Sequence, residues 1–371
     1  RVGGGVGGRG RTVARPQGPP SPLTGPAVGA IKWLPRALAA VVLLYAIQAL
    51  YSPDFSKSLQ SVCFFFVPFS LLFGLLRDVE WSRKLLTLVL WVVAAEAVAF
   101  VLIGSVEWVT RELLWNDQVI RSNDFHTYFR VNSVFWDPNI YGRYLALVIV
   151  VVMAALMWAK TRRSIWLLSG LIGVLWLGLV PTFSQSSFVA LLAGLAVLAA
   201  LRWSLKWTLA GLGAAAVATV LFVALAGGSL RIDFSKLNVD TSGRANLVSG
   251  GVNLFKQRPL WGYGSGSFPK AYTEHVKTDS PVSVSHTEPI TVAAEQGLIG
   301  LVLYAALLAA ALWAMLTGMR RPTPARAAIL AAFVALAVHS MAYAGFFEDP
   351  IAWVLLAMGA SLAAVAVRDG A

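Results

Sequence analysis

Four stretches of this chain carry residues whose types and spacing could do chemistry. The first is Arg130-Val131-Asn132-Ser133-Val134-Phe135-Trp136-Asp137-Pro138-Asn139, followed by Arg143. Asp-Pro-Asn starts a helix, because Pro fixes φ in the first turn and Asp caps free N–H groups, so Asp137 and Pro138 also have a purely local reading. Arg130 and Arg143 have none. The second is Pro181-Thr182-Phe183-Ser184-Gln185-Ser186-Ser187, a polar turn whose hydroxyls can bond neighbouring carbonyls. The third runs from Thr241-Ser242-Gly243-Arg244 to Pro259-Leu260-Trp261-Gly262-Tyr263-Gly264-Ser265-Gly266-Ser267-Phe268. Thr241 or Ser242 would cap a helix over 244–257 with Arg244 in its first turn. A cation there opposes the helix dipole, yet an arginine beside free N–H groups makes a good anion site. The glycine run lacks the βαβ setting of a dinucleotide fingerprint and reads as a turn that needs positive φ. The fourth is Ser285-His286-Thr287-Glu288-Pro289, followed by Glu295, Gln296 and Gly297. Ser285 and Glu288 have capping-box spacing. His286 beside them can accept a proton at neutral pH.

Arginines of this kind suit an anionic substrate, and the histidine suits a general base. Other chemistries lack their residues. The chain has no Asp-x-Asp pair, no Gly-x-x-x-x-Gly-Lys loop and no His-rich cluster, so no site for a nucleotide, ATP or a metal is read from it. Its single cysteine, Cys63, excludes an internal disulfide framework and a Cys-based zinc site; lying in an apolar run, it is expected to be a small buried hydrophobe. Glu96 and His339 fall mid-span and are expected to pair with other helices. Glu295, two turns below Glu288 on the same face, is expected to face protein or a cavity. His126 and His275 are given no role.

The elements that must position these residues are membrane helices. Of the 371 residues 57% are hydrophobic and 13% charged, against about 25% charged in soluble domains, and the mean hydropathy is +0.69. Segments long enough to span fall at 31–51, 58–76, 85–104, 140–159, 164–184, 186–201, 206–227, 288–317, 327–346 and 350–367, roughly ten spans by length. The fold class is therefore all-α, a polytopic bundle with a large extracytoplasmic loop region between the seventh and eighth spans. With the N-terminus inside, the short inner connections carry Arg77, Arg83, Lys84, Lys160, Arg162, Arg163, Arg202, Lys206, Arg320, Arg321 and Arg326. The short outer ones carry Asp54, Glu348, Asp349 and Lys57. That asymmetry fixes the sidedness, puts both termini in the cytoplasm, and accounts for the net charge of +12 without nucleic acid.

Two outer segments, 105–139 and 228–287, are too long to be mere connectors. Apolar and Trp residues at helical spacing over 105–123 read as a helix lying at the membrane interface. Residues 1–30, rich in Gly, Pro and Arg, are expected to be a disordered cytoplasmic segment. The opening Arg in place of Met suggests a truncated or misassigned start. Residues 31–371 form the membrane domain.

Taken in order, the motifs R-x-x-S-x-F-x-D-P-N, T-x-S-x-S, S-G-R with P-L-x-G-x-G-x-G-x-F, and H-T-x-x-x-x-x-A-x-E-x-G-L-I-G-L resemble the O-antigen ligase and polymerase superfamily, over about residues 125–305. Gln185 follows Ser184 where that family often has arginine. The resemblance implies a bacterial inner-membrane glycosyltransferase acting at the extracytoplasmic face without metal or other cofactor. Its donor would be an oligosaccharide on a polyprenyl diphosphate, and its acceptor a glycan or lipid-glycan. It implies that Arg130 and Arg244 hold the diphosphate and that His286 activates the acceptor hydroxyl. Arg143, Asp137, Asn139, Ser184 and Glu295 are further substrate-binding candidates. The competing reading is a transporter or flippase of a lipid-linked glycan, which predicts broken helices and internal repeats; no repeat relates the two halves.

Overall fold

A computed structural model describes residues 26–116, 119–121, 123, 128–214, 244–276, 285–319 and 322–369. Among these every regular element is helical, and the elements used below are α1 (Pro26–Ala49), α2 (Phe55–Arg77), α3 (Arg83–Thr110), α4 (Pro138–Met157), α5 (Arg162–Leu179), α6 (Gln185–Arg202), α7 (Arg244–Gln257), α8 (Phe268–Val276), α9 (Glu288–Leu316), α10 (Pro324–Ser340) and α11 (Pro350–Asp369); residues 205–214 are helical too. Eight described helices are long and apolar enough to cross a membrane, and α10 is a shorter apolar helix. The chain is a multi-pass membrane protein. Nine of the ten expected spans coincide with these apolar helices; the other, 206–227, is described only to residue 214. Residues 26–30 of the segment expected to be disordered, 1–30, instead open α1; its residues 1–25, the Thr241 or Ser242 cap, His126 and much of 228–287 lie outside the described residues.

Helix starts follow the caps written in the sequence. Ser82, Asp137, Thr161, Ser184, Thr287 and Thr323 each accept a backbone N–H of the helix they open, as short hydroxyl and carboxylate side chains do. Pro follows at the first or second helical position in α4, α9 and α10. The expected Ser285–Glu288 capping box does not form: Thr287 caps α9, and Glu288 reaches elsewhere.

Helix α4 is the core of the bundle, buried along most of its length and packed by α5, α6 and α10. Small residues let the helices close, as is usual without a hydrophobic drive between them; a Cβ on Gly194 of α6 would meet Val150 of α4 and Ala335 of α10. Helix α2 contains a π-helical turn over Val62–Phe66. Within it Phe66 stacks on Tyr45 of α1, ring centroids 4.0 Å apart. Leu43, Leu75, Leu102, Leu177 and Leu192 stand exposed around the bundle, a surface for lipid tails. Cys63 is on it too, exposed rather than buried as expected.

Two more expectations are corrected. The helix expected over 105–123 is interrupted: α3 continues to Thr110 and stops where Arg111 turns left-handed at φ 62°, and helical residues return only at 119–121 and 123. The ninth expected span ends at Ser340, so the turn before α11 is longer than the 347–349 connection foreseen. The α1–α2, α3–α4, α5–α6 and α10–α11 connections and the start of α9 gather at one end of the bundle, below called the site end. Arg77, Arg83, Lys84, Lys160, Arg162, Arg163 and Arg202 lie at the other end.

Candidate active site

Arg130 is built into the site end from both sides. Asn123 brackets its backbone, accepting from Arg130 N at 3.0 Å and donating to Arg130 O at 3.0 Å. The guanidinium donates through Nε to the carbonyl of Thr182 at 2.8 Å and through Nη2 to Asn139 Oδ1 at 3.1 Å. Two of the four sequence stretches thus meet at one arginine. Asn139 and the 182–187 turn are its holders, and Asp137, which caps α4 by accepting from Asn139 N at 2.6 Å, supplies nearby negative charge. Burial disfavours the charged guanidinium and lowers its pKa, with Asp137 and Tyr128 opposing that shift.

The turn itself points inward. Ser184 is fully buried. Its hydroxyl accepts from Ser187 N and lies 3.2 Å from Ser186 Oγ and 2.7 Å from Ser187 Oγ. These bonds tie Ser184 into the turn. Gly142 of α4 lets the turn come this close; a Cβ there would sit 2.7 Å from Ser187 Oγ and 2.9 Å from Thr182 Oγ1. Ser186 Oγ also lies 3.1 Å from Nε2 of His339 on α10, so His339 pairs with another helix as foreseen. Glu96 does likewise, accepting from Tyr144 OH at 3.1 Å.

Arg143 was expected as a further substrate-binding cation. In the structure it is buried, and its Nη2 lies 2.9 Å from Asp349 Oδ2. Asp349 in turn accepts from Ile351 N at 2.9 Å, closing the start of α11. Arg143 is therefore neutralised by the α10–α11 turn, a partner that the sequence placed in a different loop.

His286 stands just ahead of α9 in a left-handed conformation, φ 63°. Non-glycine residues held there cost of order 1 kcal/mol and gather at functional sites. Its ring faces Tyr343, centroids 6.1 Å apart, and its Nδ1 is buried without a hydrogen-bond partner among the described residues. Burial and then the charge of Arg244 lower its pKa, with Asp137 opposing. The same Arg244 charge bears on Arg130, so Arg130, Arg244, His286, Asp137 and Tyr343 share one electrostatic environment. Arg244 opens α7 half-exposed, and no hydrogen bond or ion pair engages its guanidinium among the described residues.

Behind His286, helix α9 is broken at Gly297, φ 65° and ψ −162°, a conformation open essentially to glycine alone. The glycine loop fills the break. Tyr263 N and Gly264 N donate to the carbonyls of Ala294 and Glu295 at 3.1 and 2.8 Å, while Leu298 N donates back to Pro259 O at 2.7 Å. Gln48 of α1 bonds the carbonyls of Trp261 and Gln296 at 3.1 and 3.4 Å. Backbone freed within a membrane helix must be satisfied by such neighbours. A Cβ on Gly297 would overlap the Leu260 carbonyl, and one on Gly262 the Glu295 carbonyl, so the expected positive φ is joined by a need for close approach. Gly297→Ala is expected to lose at least about 1–3 kcal/mol from backbone strain, read as a lowered thermal midpoint in detergent.

Carboxylates near the helix ends tie down these loops. Glu295 accepts from Gly266 N and Phe268 N, both at 2.9 Å, and so ties the glycine loop to α9. Glu288 accepts from Gly345 N and Phe346 N at 2.7 and 3.0 Å. Glu107, which the sequence reading passed over, accepts from Leu114, Asn132 and Ser133 N–H groups at 3.3, 3.2 and 2.7 Å. Tyr343 and Gln48 were missed too; a glutamine near the end of an apolar span was a signal in the case of Gln48. A recess lined by Lys57, Glu288, Glu295 and Glu348 lies against the 344–348 segment. Its carboxylates outnumber its lysine. Among the described residues no group of three or more His, Cys, Asp or Glu is placed to hold a metal ion.

Residues 170–305 match a family model described as O-antigen ligase. The curated proteins contain no match to the chain. The matched stretch includes the Ser184 turn, Arg244, the glycine loop, His286 and the α9 break, while Arg130, Asp137, Asn139 and Arg143 precede it. Over residues 170–305 this multi-pass membrane protein is therefore similar to the O-antigen ligase and polymerase superfamily.

Proposed function

We propose that the protein transfers an oligosaccharide from a polyprenyl diphosphate to a hydroxyl of a glycan or lipid-glycan acceptor, at the extracytoplasmic face of a bacterial inner membrane. The acceptor oxygen attacks the anomeric carbon and a new glycosidic bond forms. The bond from that carbon to the diphosphate breaks, and polyprenyl diphosphate leaves with the bonding pair. The acceptor's proton passes to His286, whose neutral ring is favoured by burial and by Arg244. Arg130 and Arg244 face the charge that grows on the leaving diphosphate, where fixed guanidinium donors act best. Asn139, Asp137 and the 182–187 turn hold Arg130, and Arg143 with Asp349 supports the wall behind. No step calls for a metal.

The observation that carries this reading is the convergence of Arg130, Arg244 and His286, from three separate loops, at one end of a membrane bundle. Basic connections at the opposite end support an outward-facing site. The broken α9 is the feature a transporter reading predicts, but loop backbone fills the break. Proteoliposomes supplied with a polyprenyl-diphosphate oligosaccharide and acceptor, with chelator and without nucleotide, are expected to release polyprenyl diphosphate and form glycan product. Movement of the donor between leaflets without product would favour the flippase reading instead.

A further inference from the structure

Glu107 takes no part in the transfer just described, and it is unusually placed. It lies in the last turns of α3, 2% exposed, and no cation pairs with it among the described residues. Its partners are backbone. Oε2 accepts from Asn132 N and Ser133 N, and Oε1 from Leu114 N. Ser133 is left-handed at φ 51°, so the carboxylate holds a bend that the residue itself disfavours. Ser133 Oγ adds a bond to the Phe100 carbonyl at 2.8 Å. Between this anchor and Arg130 stands Val131, buried and bonded through its N–H to Pro181 O at 3.2 Å.

From Glu107 to the guanidinium there is thus no slack. The carboxylate fixes residues 132 and 133, Val131 is pinned to the 181 carbonyl, and Asn123 brackets Arg130 itself. We infer that Glu107 is a positioning residue that sets donor affinity through Arg130 without touching the donor. The inference rests on the reading of Arg130 as a diphosphate ligand. Gln cannot replace Glu here, because its single oxygen cannot serve both groups of donors and its NH₂ would confront at least one N–H. An anchor lost at this distance relaxes a binding group by fractions of an ångström, and a full ångström costs a reaction about a hundredfold.

The test is titration calorimetry of a short-chain polyprenyl diphosphate against the purified protein in detergent, with wild type, Glu107→Gln, Arg130→Ala and the double variant. Glu107→Gln is expected to weaken binding about tenfold, and Arg130→Ala more. The double variant is expected to match Arg130→Ala alone, because residues acting through one group are not additive. Glu107→Asp, which keeps the carboxylate on a shorter stem, is expected to fall between wild type and Gln and serves if Gln misfolds. A product of two independent losses in the double variant, or wild-type affinity in Glu107→Gln and Glu107→Asp, would overturn the inference while leaving the proposed function intact. Unchanged affinity in Arg130→Ala would sink both.

Discussion

Arg244→Ala is expected to reduce glycan transfer about 100- to 1,000-fold, the loss typical of removing one fixed donor from a developing negative charge, while the protein stays folded. The two halves of that result have separate causes. Arg244 is half-exposed and opens α7, where a cation opposes the helix dipole by about 0.3–1 kcal/mol. Removing it should leave the thermal midpoint unchanged or slightly raised. Arg130→Ala must behave differently, because it also breaks bonds to Thr182 and Asn139 and should lower the midpoint as well as activity. The check is the transfer rate alongside thermal unfolding in the same detergent. An active Arg244→Ala protein would remove the leading cation from the site.

His286→Asn is expected to cost about 100- to 10,000-fold, the range for a general base. Asn tolerates the left-handed backbone at this position better than most residues, so the variant keeps the fold while losing the proton acceptor. Wild-type activity should carry the signature of the same ring. Protonated histidine cannot take the acceptor's proton, so the rate should rise with pH through the His286 pKa and level off above it. That pKa lies below the ordinary value of 6.5, through burial first and Arg244 second. In Arg244→Gln the burial remains and the neighbouring charge goes, so the acid limb of the residual activity should move to higher pH. Linkage has a definite sign too: the unfolded chain binds this proton more readily than the folded one, so stability rises with pH between the two pKa values and is lost below them. A pH–rate profile that does not move between wild type and Arg244→Gln would separate His286 from Arg244.

Much of this was legible because apolar runs and caps are local. The helix starts at Asp137 and Ser184 stand in the sequence as Asp-Pro and as Ser ahead of an apolar run. The chemistry-bearing types were legible as well: Arg130, Arg244 and His286 have no local purpose, and the fold brings them together. What could not be read was the partner of each carboxylate. Glu107, Glu288 and Glu295 bond to backbone N–H groups, which every residue but proline carries, so no side-chain pattern announces Asn132, Gly345 or Gly266 as the other end. Likewise no pattern announced that Ser184 would be buried among Ser186 and Ser187, or that Arg143 would meet Asp349 of the turn after α10. The break in α9 hid for a related reason. Gly297 follows Glu295 and Gln296 between two apolar runs that together read as one span, and the loop that repairs the helix precedes it as a separate motif.

The amide of Gln48 has a consequence for how the chain is made. Its two carbonyl partners lie 213 and 248 residues further along. At the usual 5–20 residues per second, the later of these is synthesised roughly 12 to 50 s after Gln48 itself. Until then α1 carries a buried-type polar group that lacks its full set of carbonyl partners. Helix α1 should therefore settle into its final packing only once the glycine loop and α9 have been made.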